Sequence, residues 1–373
     1  MIKVRNVVEA METIAPPALA VPGDPAGLHA GCPEGRVRAV AVALDASLPA
    51  IAEAVRKKAD LLIVHHPRFY RGLSGLAEND PCGRRAAAIA RSGLAVYSAH
   101  TALDLAEGGT NDCLAKAAGI LDPVVVMPVK RERLLKLAVF VPVAQVEKVR
   151  RAVCGAGAGA IGKYSDCTFR TRGVGTFRGD ADTKPFIGRP HELEEADEFK
   201  LETVLGEFSA KRVIAAMLAA HPYEEAAYDL YPIENAAKNY GFGRAGELPR
   251  GERLADFAAR MAVATRSRMT QFCGKPGSRV RRAAVWAGGG VEVKAVIASG
   301  AGTLVTGELG YHDLETLSDA GISAVTLGHG HSETLALPFL AGKLRKLLPS
   351  IGVFAAGSNM AAFRNADRRR NAS

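Results

Sequence analysis

Twice along this chain, short apolar runs rich in β-branched residues alternate with helical stretches. In the first set, runs at 36–45, 60–64 and 94–100 read as strands, and 47–59, 83–93 and 109–119 as helices. In the second, strands at 281–288, 303–308, 323–328 and 351–357 alternate with helices at 291–300, 309–321 and 332–348. Strands that are apolar on both faces belong in a parallel or mixed sheet covered by helices. The pattern predicts an α/β class: one discontinuous domain made of two similar α/β halves, its mixed sheet covered by helices.

The middle of the chain breaks this rhythm. Residues 136–179 start as a strand and a helix and then become a Gly- and Thr-rich hairpin, while 200–234 gives strand, helix and an alternating strand. The order βαββαβ is the ferredoxin-like split motif. Flanking stretches at 123–135 and 235–245 read as crossing links. The expected organisation is therefore 1–132 as the first half of the α/β domain, 133–235 as an inserted ferredoxin-like domain, and 236–373 as the second half.

Composition narrows the chemistry. No apolar run reaches the roughly 18 residues that span a bilayer. The N-terminal stretch carries Glu9 and Glu12 and makes a poor export signal, so the cytoplasm is the expected location. Six scattered cysteines form no C-x-x-C pair, which leaves histidines and carboxylates as the metal-ligating residues. A net charge of +9 leaves nucleotide or nucleic-acid partners open. Much of it is local, at Arg279–Arg282 and 367–371, and interleaved aromatics that would stack on bases are missing.

Three clusters follow apolar strands at their carboxyl ends, where open α/β sheets bind ligands. His65 and His66 follow LLIV, and Pro67 ends the ladder; adjacent imidazoles can serve two neighbouring ions, although surface pairs also arise by chance. The run SAHTALD brings His100 and Asp104 to the same edge, with Asp104 either bridging two cations or capping a helix. In LGHGHSETLAL, His329 and Glu333 stand at i and i+4, on one helix face if the helix starts at once. His331 points elsewhere, and a Ser332 helix cap is the structural alternative. A fourth stretch, TGELGYHD, offers Glu308, His312 and Asp313 as orienting or acid/base groups, or as a cap with surface charges. Glu308 and His312 are the catalytic candidates. Two glycine-rich stretches, 154–162 and 288–290, match neither a P-loop nor a dinucleotide fingerprint. HPYEEAAYDLYP (221–232) reads as a strand.

Taken in order, HHPRFYRG, SAHTALD…GGTNDCLA, TGELGYHD and GHGHSE resemble the motifs of the GTP cyclohydrolase 1 type 2 homologues, also called NIF-three-like dinuclear metal-centre proteins. The resemblance covers essentially the whole chain, and the middle segment is similar to the PII/CutA-like insert of the longer bacterial members. It implies metal ligands at His65, His66, Asp104, His329 and Glu333, the same set that strand position and spacing select. It also implies two divalent ions per chain (zinc, iron or manganese), a toroidal homohexamer and metal-dependent hydrolysis of a purine nucleotide such as GTP. Two stretches depart from the family: GDPAGLHAG (23–31) replaces a Trp-Asp-Asn-type turn, and Arg68 stands at a usually apolar position. Two other functional classes stay open: a metal-handling regulatory protein, and a ring-shaped scaffold for nucleic acid or another partner.

Overall fold

In the computed structural model, residues 1–67 and 75–357 are described, those at 236 and 237 by their backbone alone. The loop after HHP, including Arg68, and the basic stretch 367–371 lie outside the described residues. The chain forms two compact units, one of Met1–Lys130 with Tyr240–Ser373 and one of Arg131–Asn239.

Thirteen strands are described, numbered here in chain order. In the first unit, β1 (Gly27–Ala30), β2 (Ala39–Ala43), β3 (Leu61–Val64) and β4 (Ala95–Ser98) form a sheet in the order β1-β4-β3-β2. The long strand β5 (Leu121–Pro142) carries the chain into the second unit. There β6 (Thr168–Phe177), β7 (Glu194–Gly206) and β8 (Tyr228–Arg253) complete the order β6-β7-β5-β8. Two helices, Val146–Gly155 and Ala210–Ala220, pack on that unit's own core of Leu137, Val139, Val149, Leu201, Val213 and Met217.

Back in the first unit, the end of β8 pairs antiparallel with β10 (Arg279–Trp286), which pairs parallel with β11 (Thr303–Thr306). β12 (Ser323–Thr326) continues the parallel run, and β9 (Gln271–Cys273) closes the edge antiparallel to it. The central strands β11 and β12 are short and largely buried because both faces are covered. Helix Thr110–Ala118, from the first half of the sequence, packs Leu114 and Ala118 with Phe257 and Met261 beneath Val285, Val305 and Val325. On the opposite face Trp286, Leu304 and Leu317 belong to a second cluster. The molecule is thus mixed α/β.

Four local readings need correction. The run 351–357, read as closing the C-terminal set, supplies β13 (Gly352–Ala355), which pairs parallel with β2 in the first sheet. The stretches read as crossing links do contain both crossings between the units, but they are not separate segments: they lie inside strands β5 and β8. Within 221–232, strand pairing starts only at Tyr228. The long helix expected at 332–348 is two helices, His329–Glu333 and Ala336–Leu347, separated at 334–335.

Candidate metal centre

Parallel pairing brings the strand ends level. Val64 is in register with Ser98, and Thr306 with Thr326. The ladders continue one step beyond each strand: His100 N–H donates to the His65 carbonyl at 2.9 Å, and Gly328 N–H to that of Gly307 at 2.8 Å. Side chains that follow the strands of both sheets are thereby delivered to one place in the first unit.

Glu333 is the hub. Its Oε2 accepts from His66 Nε2 at 2.9 Å, while its Oε1 lies 3.2 Å from His329 Nε2 and 3.4 Å from His65 Nε2. Asp104 Oδ1 stands 3.6 Å from the same His65 nitrogen. Ligand atoms of His65, His66 and Glu333 all lie within 4.8 Å of one another, a spacing that suits a metal ion. The helix beginning at His329 places His329 and Glu333 on one face, and Glu333 is only 3% exposed. Ser332 is no helix cap. Its hydroxyl accepts from Gly288 N–H at 2.8 Å and donates to the His329 carbonyl at 2.6 Å, tying the helix to the end of β10.

Asp104 sits near the end of helix His100–Leu105, not at a helix start. Thr110 Oγ1 donates to its carboxylate. Asn111 donates to its backbone carbonyl at 3.0 Å and accepts from Ala287 N–H at 3.0 Å, bridging to the second sheet. The His100 ring lies 5.6 Å from the His65 ring and 5.8 Å from that of His66, and Asp24 of the 23–31 stretch accepts from its Nδ1 at 2.7 Å.

Electrostatics follow from two buried carboxylates surrounded by imidazoles. Burial opposes charge on His65, yet the Asp104 and Glu333 carboxylates outweigh it and raise its pKa to about 9. His329 is likewise raised to about 9, chiefly by its hydrogen bond to Glu333 against the opposing effect of burial. Burial also works against ionising Glu333, but the His65 charge and the imidazole hydrogen bonds hold its carboxyl well below the usual range. Asp104 moves the other way, raised by burial despite the nearby His65.

The donor set fits a hard or borderline divalent cation. Both ring nitrogens of His65 are buried with no hydrogen-bond partner among the described residues. Buried polar atoms are ordinarily satisfied, so an orphaned Nε2 facing the Asp104 and Glu333 carboxylates suits a metal ligand. His329 Nδ1 is paired with Glu308 Oε1 at 3.0 Å, the carboxylate–imidazole arrangement that orients metal-ligating rings.

The other expected residues are placed less centrally. Glu308 is 64% exposed in its side chain but touches His329. His312 stands on helix Tyr311–Asp319, 90% exposed beside Glu315, and makes no described contact with the five clustered residues. His331 Nδ1 is buried and unpartnered among the described residues.

Sequence reasoning missed the backbone around the cluster. At Gly288, φ is 73°, and a Cβ there would lie 2.5 Å from Glu333 Oε1 and 3.2 Å from His329 Nε2. A Cβ on Gly307 would stand 2.8 Å from His329 Cα. The glycine triplet at 288–290, set aside as a failed nucleotide motif, lets the end of β10 lie against the carboxylate. The signal was the glycine directly after a buried strand, where the backbone approaches a site closely.

The family described as Duf34/NIF3 (NGG1p interacting factor 3) matches residues 2–360. The chain belongs to the Duf34/NIF3 family. Among Duf34/NIF3 relatives, a GTP cyclohydrolase 1 type 2 homolog from Halalkalibacterium halodurans is 38% identical over 345 residues, 92% of either chain. One of the same description from Bacillus subtilis is 39% identical over 326 residues, 87% of either chain. A solved Bacillus cereus protein related to NIF3 superposes with a TM-score of 0.81 at 32% identity, covering 98% of this chain and 99% of that one.

Proposed function

We infer that this Duf34/NIF3 protein holds two divalent metal ions, as zinc, iron or manganese, through His65, His66, Asp104, His329 and Glu333, and uses them to hydrolyse a purine nucleotide such as GTP. The observation that carries the reading is the convergence of three imidazoles on the buried Glu333 carboxylate, with Asp104 beside it. Five donors fill two four-coordinate sites only if some are shared, and the central position of Glu333 suits a shared ligand. When bound, such a pair of cations supplies Lewis acidity that makes water a nucleophile near neutral pH. The chain's own part is positioning. Asn111 bridges the strand ends of the two sheets, Ser332 ties the His329–Glu333 helix to the segment after β10, and Thr110 fixes the Asp104 carboxylate. Glu308 orients the His329 ring and, being half in solvent, is placed to take up or release a proton. His312 is not carried into the proposal.

The same reading includes an inserted ferredoxin-like domain at about 133–235, a homohexamer and a cytoplasmic location. Strand and helix order in the second unit, βαββαβ, supports the first of these. No described helix is long and apolar enough to cross a membrane. A metal-handling protein without catalysis is the second reading, favoured by the lack of any phosphate-cradling glycine loop among the motifs. Metal content per chain on protein purified without chelator, paired with a GTP turnover assay, separates them in wild type, His65→Ala and Glu333→Ala. About two ions and GTP consumption, both lost in the variants, support the hydrolase; two ions without turnover favour metal handling; no bound ion overturns both.

A further inference from the structure

Beside the cluster lies a cavity of about 820 Å³, its wall shared between His66, Glu308 and His329 on one side and the segment Arg268–Cys273 on the other. That segment is fixed rather than draped. Helix Leu254–Ala264 ends at Thr265, and Arg266 then adopts φ of 53°, the left-handed region usually left to glycine. The turn directs the chain onto the end of β12. Ser267 Oγ donates to the Leu327 carbonyl at 2.5 Å, and Met269 N–H donates to Ser267 Oγ at 3.1 Å. A Cβ on Gly328 would stand 3.5 Å from the Met269 sulfur. Arg268 is therefore held next to the loop that carries His329.

The guanidinium of Arg268 is exposed and has no ion-pair partner among the described residues, whereas the acidic groups of the wall are engaged. Glu308 is paired with His329, and Asp45 accepts from Ser47 N–H at 3.0 Å. Met269, Leu309 and Phe272 give the wall an apolar patch beside the polar Thr270, Gln271 and Thr326, with Phe272 left 41% exposed. A concave site that joins an apolar patch to a guanidinium without an ion-pair partner suits a ligand with the complementary pair of features.

We propose that this cavity binds an organic anion with a flat apolar body, its anionic group on Arg268 and its ring against Phe272 and Met269. The charge of the cluster side rests on the metal-site reading above; the roles of Arg268 and Phe272 do not. Specificity for a charged aromatic ligand is thus set by the segment 268–272, outside the five clustered residues.

Titration of the full chain with 8-anilinonaphthalene-1-sulfonate, a fused aromatic sulfonate, tests the assignment by dye fluorescence. Wild type should show a saturable site. Arg268→Ala and Phe272→Ala should each weaken it about tenfold or more, the loss expected for a charged hydrogen bond or a large ring contact. Arg268→Lys should restore part of the affinity, and Arg172→Ala, far along the sequence on β6, should leave it unchanged. Melting temperatures establish that each variant is folded. Dye affinity unchanged in folded Arg268→Ala, or no saturable site in wild type, overturns the proposal. The dye needs no turnover, so the two readings fail separately. Protein without metal but with Arg268-dependent dye binding sinks only the metal centre; protein with two ions and Arg268-independent binding sinks only the pocket.

Discussion

Replacing Gly288 by alanine should weaken metal binding while leaving the fold intact. Two costs meet at this position. With φ of 73°, an alanine is strained by about 1 kcal/mol in the left-handed region. The new methyl would also stand 2.5 Å from Glu333 Oε1. Ordinary contact distance requires the carboxylate to retreat by about 1 Å, and the His66 hydrogen bond together with the His329 and His65 rings at 3.2 and 3.4 Å leaves little freedom for that. Gly290→Ala is the matched control, because φ is 66° there and nothing lies within 4 Å of its added Cβ. Both variants should lose about 1 kcal/mol of stability to backbone strain by chemical denaturation, and Gly288→Ala more because of the contact with Glu333. Only Gly288→Ala should also lose metal affinity, by about tenfold to a hundredfold, measured by competition with a chromophoric chelator. Equal metal affinity in the two variants would refute the claim that the backbone at 288 positions the hub carboxylate.

Three further outcomes are expected. Thr110→Val removes the hydroxyl that holds Asp104 and should weaken metal binding about tenfold by the same competition assay, with little change in melting temperature. In chelator-stripped protein, His65 and His329 have folded pKa values of about 9, above the ordinary 6.5. The stability they contribute is fully present below pH 6.5 and is lost as pH rises through 9, so the melting temperature should fall across that window, less steeply in Glu333→Gln. Metal affinity should rise over the same window, because each ion displaces imidazole protons. A stripped protein that grows more stable toward pH 9 contradicts this. Asp112→Asn leaves the buried Arg244 guanidinium without its carboxylate and should cost about 3 kcal/mol by urea unfolding.

Much of the site was legible because each candidate ligand follows an apolar run, and a run's carboxyl end is a physical location once strands are parallel. His65 and His66 needed only LLIV before them and Pro67 after. His329 and Glu333 needed only their spacing and an immediate helix start, which the structure has. Neighbour choice between strands was not legible. Nothing in GVFA distinguishes pairing with β2 from pairing with β12, since both present a small, apolar surface. The supporting contacts were hidden for a related reason. Thr110, Asn111 and Ser332 look like helix-start residues in one dimension, and their partners at Asp104, Ala287 and Gly288 become neighbours only in three. His312 stands apart from the cluster because a motif fixes only its sequence proximity to Glu308, and the helix Tyr311–Asp319 carries it to an exposed position beside Glu315.

The pairing of β13 with β2 has a consequence for synthesis. β2 is among the first strands to leave the ribosome, and its partner is among the last of the described strands, with about 310 residues between them. At about 5–20 residues per second the edge of β2 stays open for roughly 15–60 s. Through that interval the nascent chain presents an apolar strand with unpaired amides, and the residues meant to meet at Glu333 remain in separate pieces. A chain built this way leaves that edge open to mispairing through most of its own translation, and its histidine–carboxylate cluster is among the last parts of the molecule to come into existence.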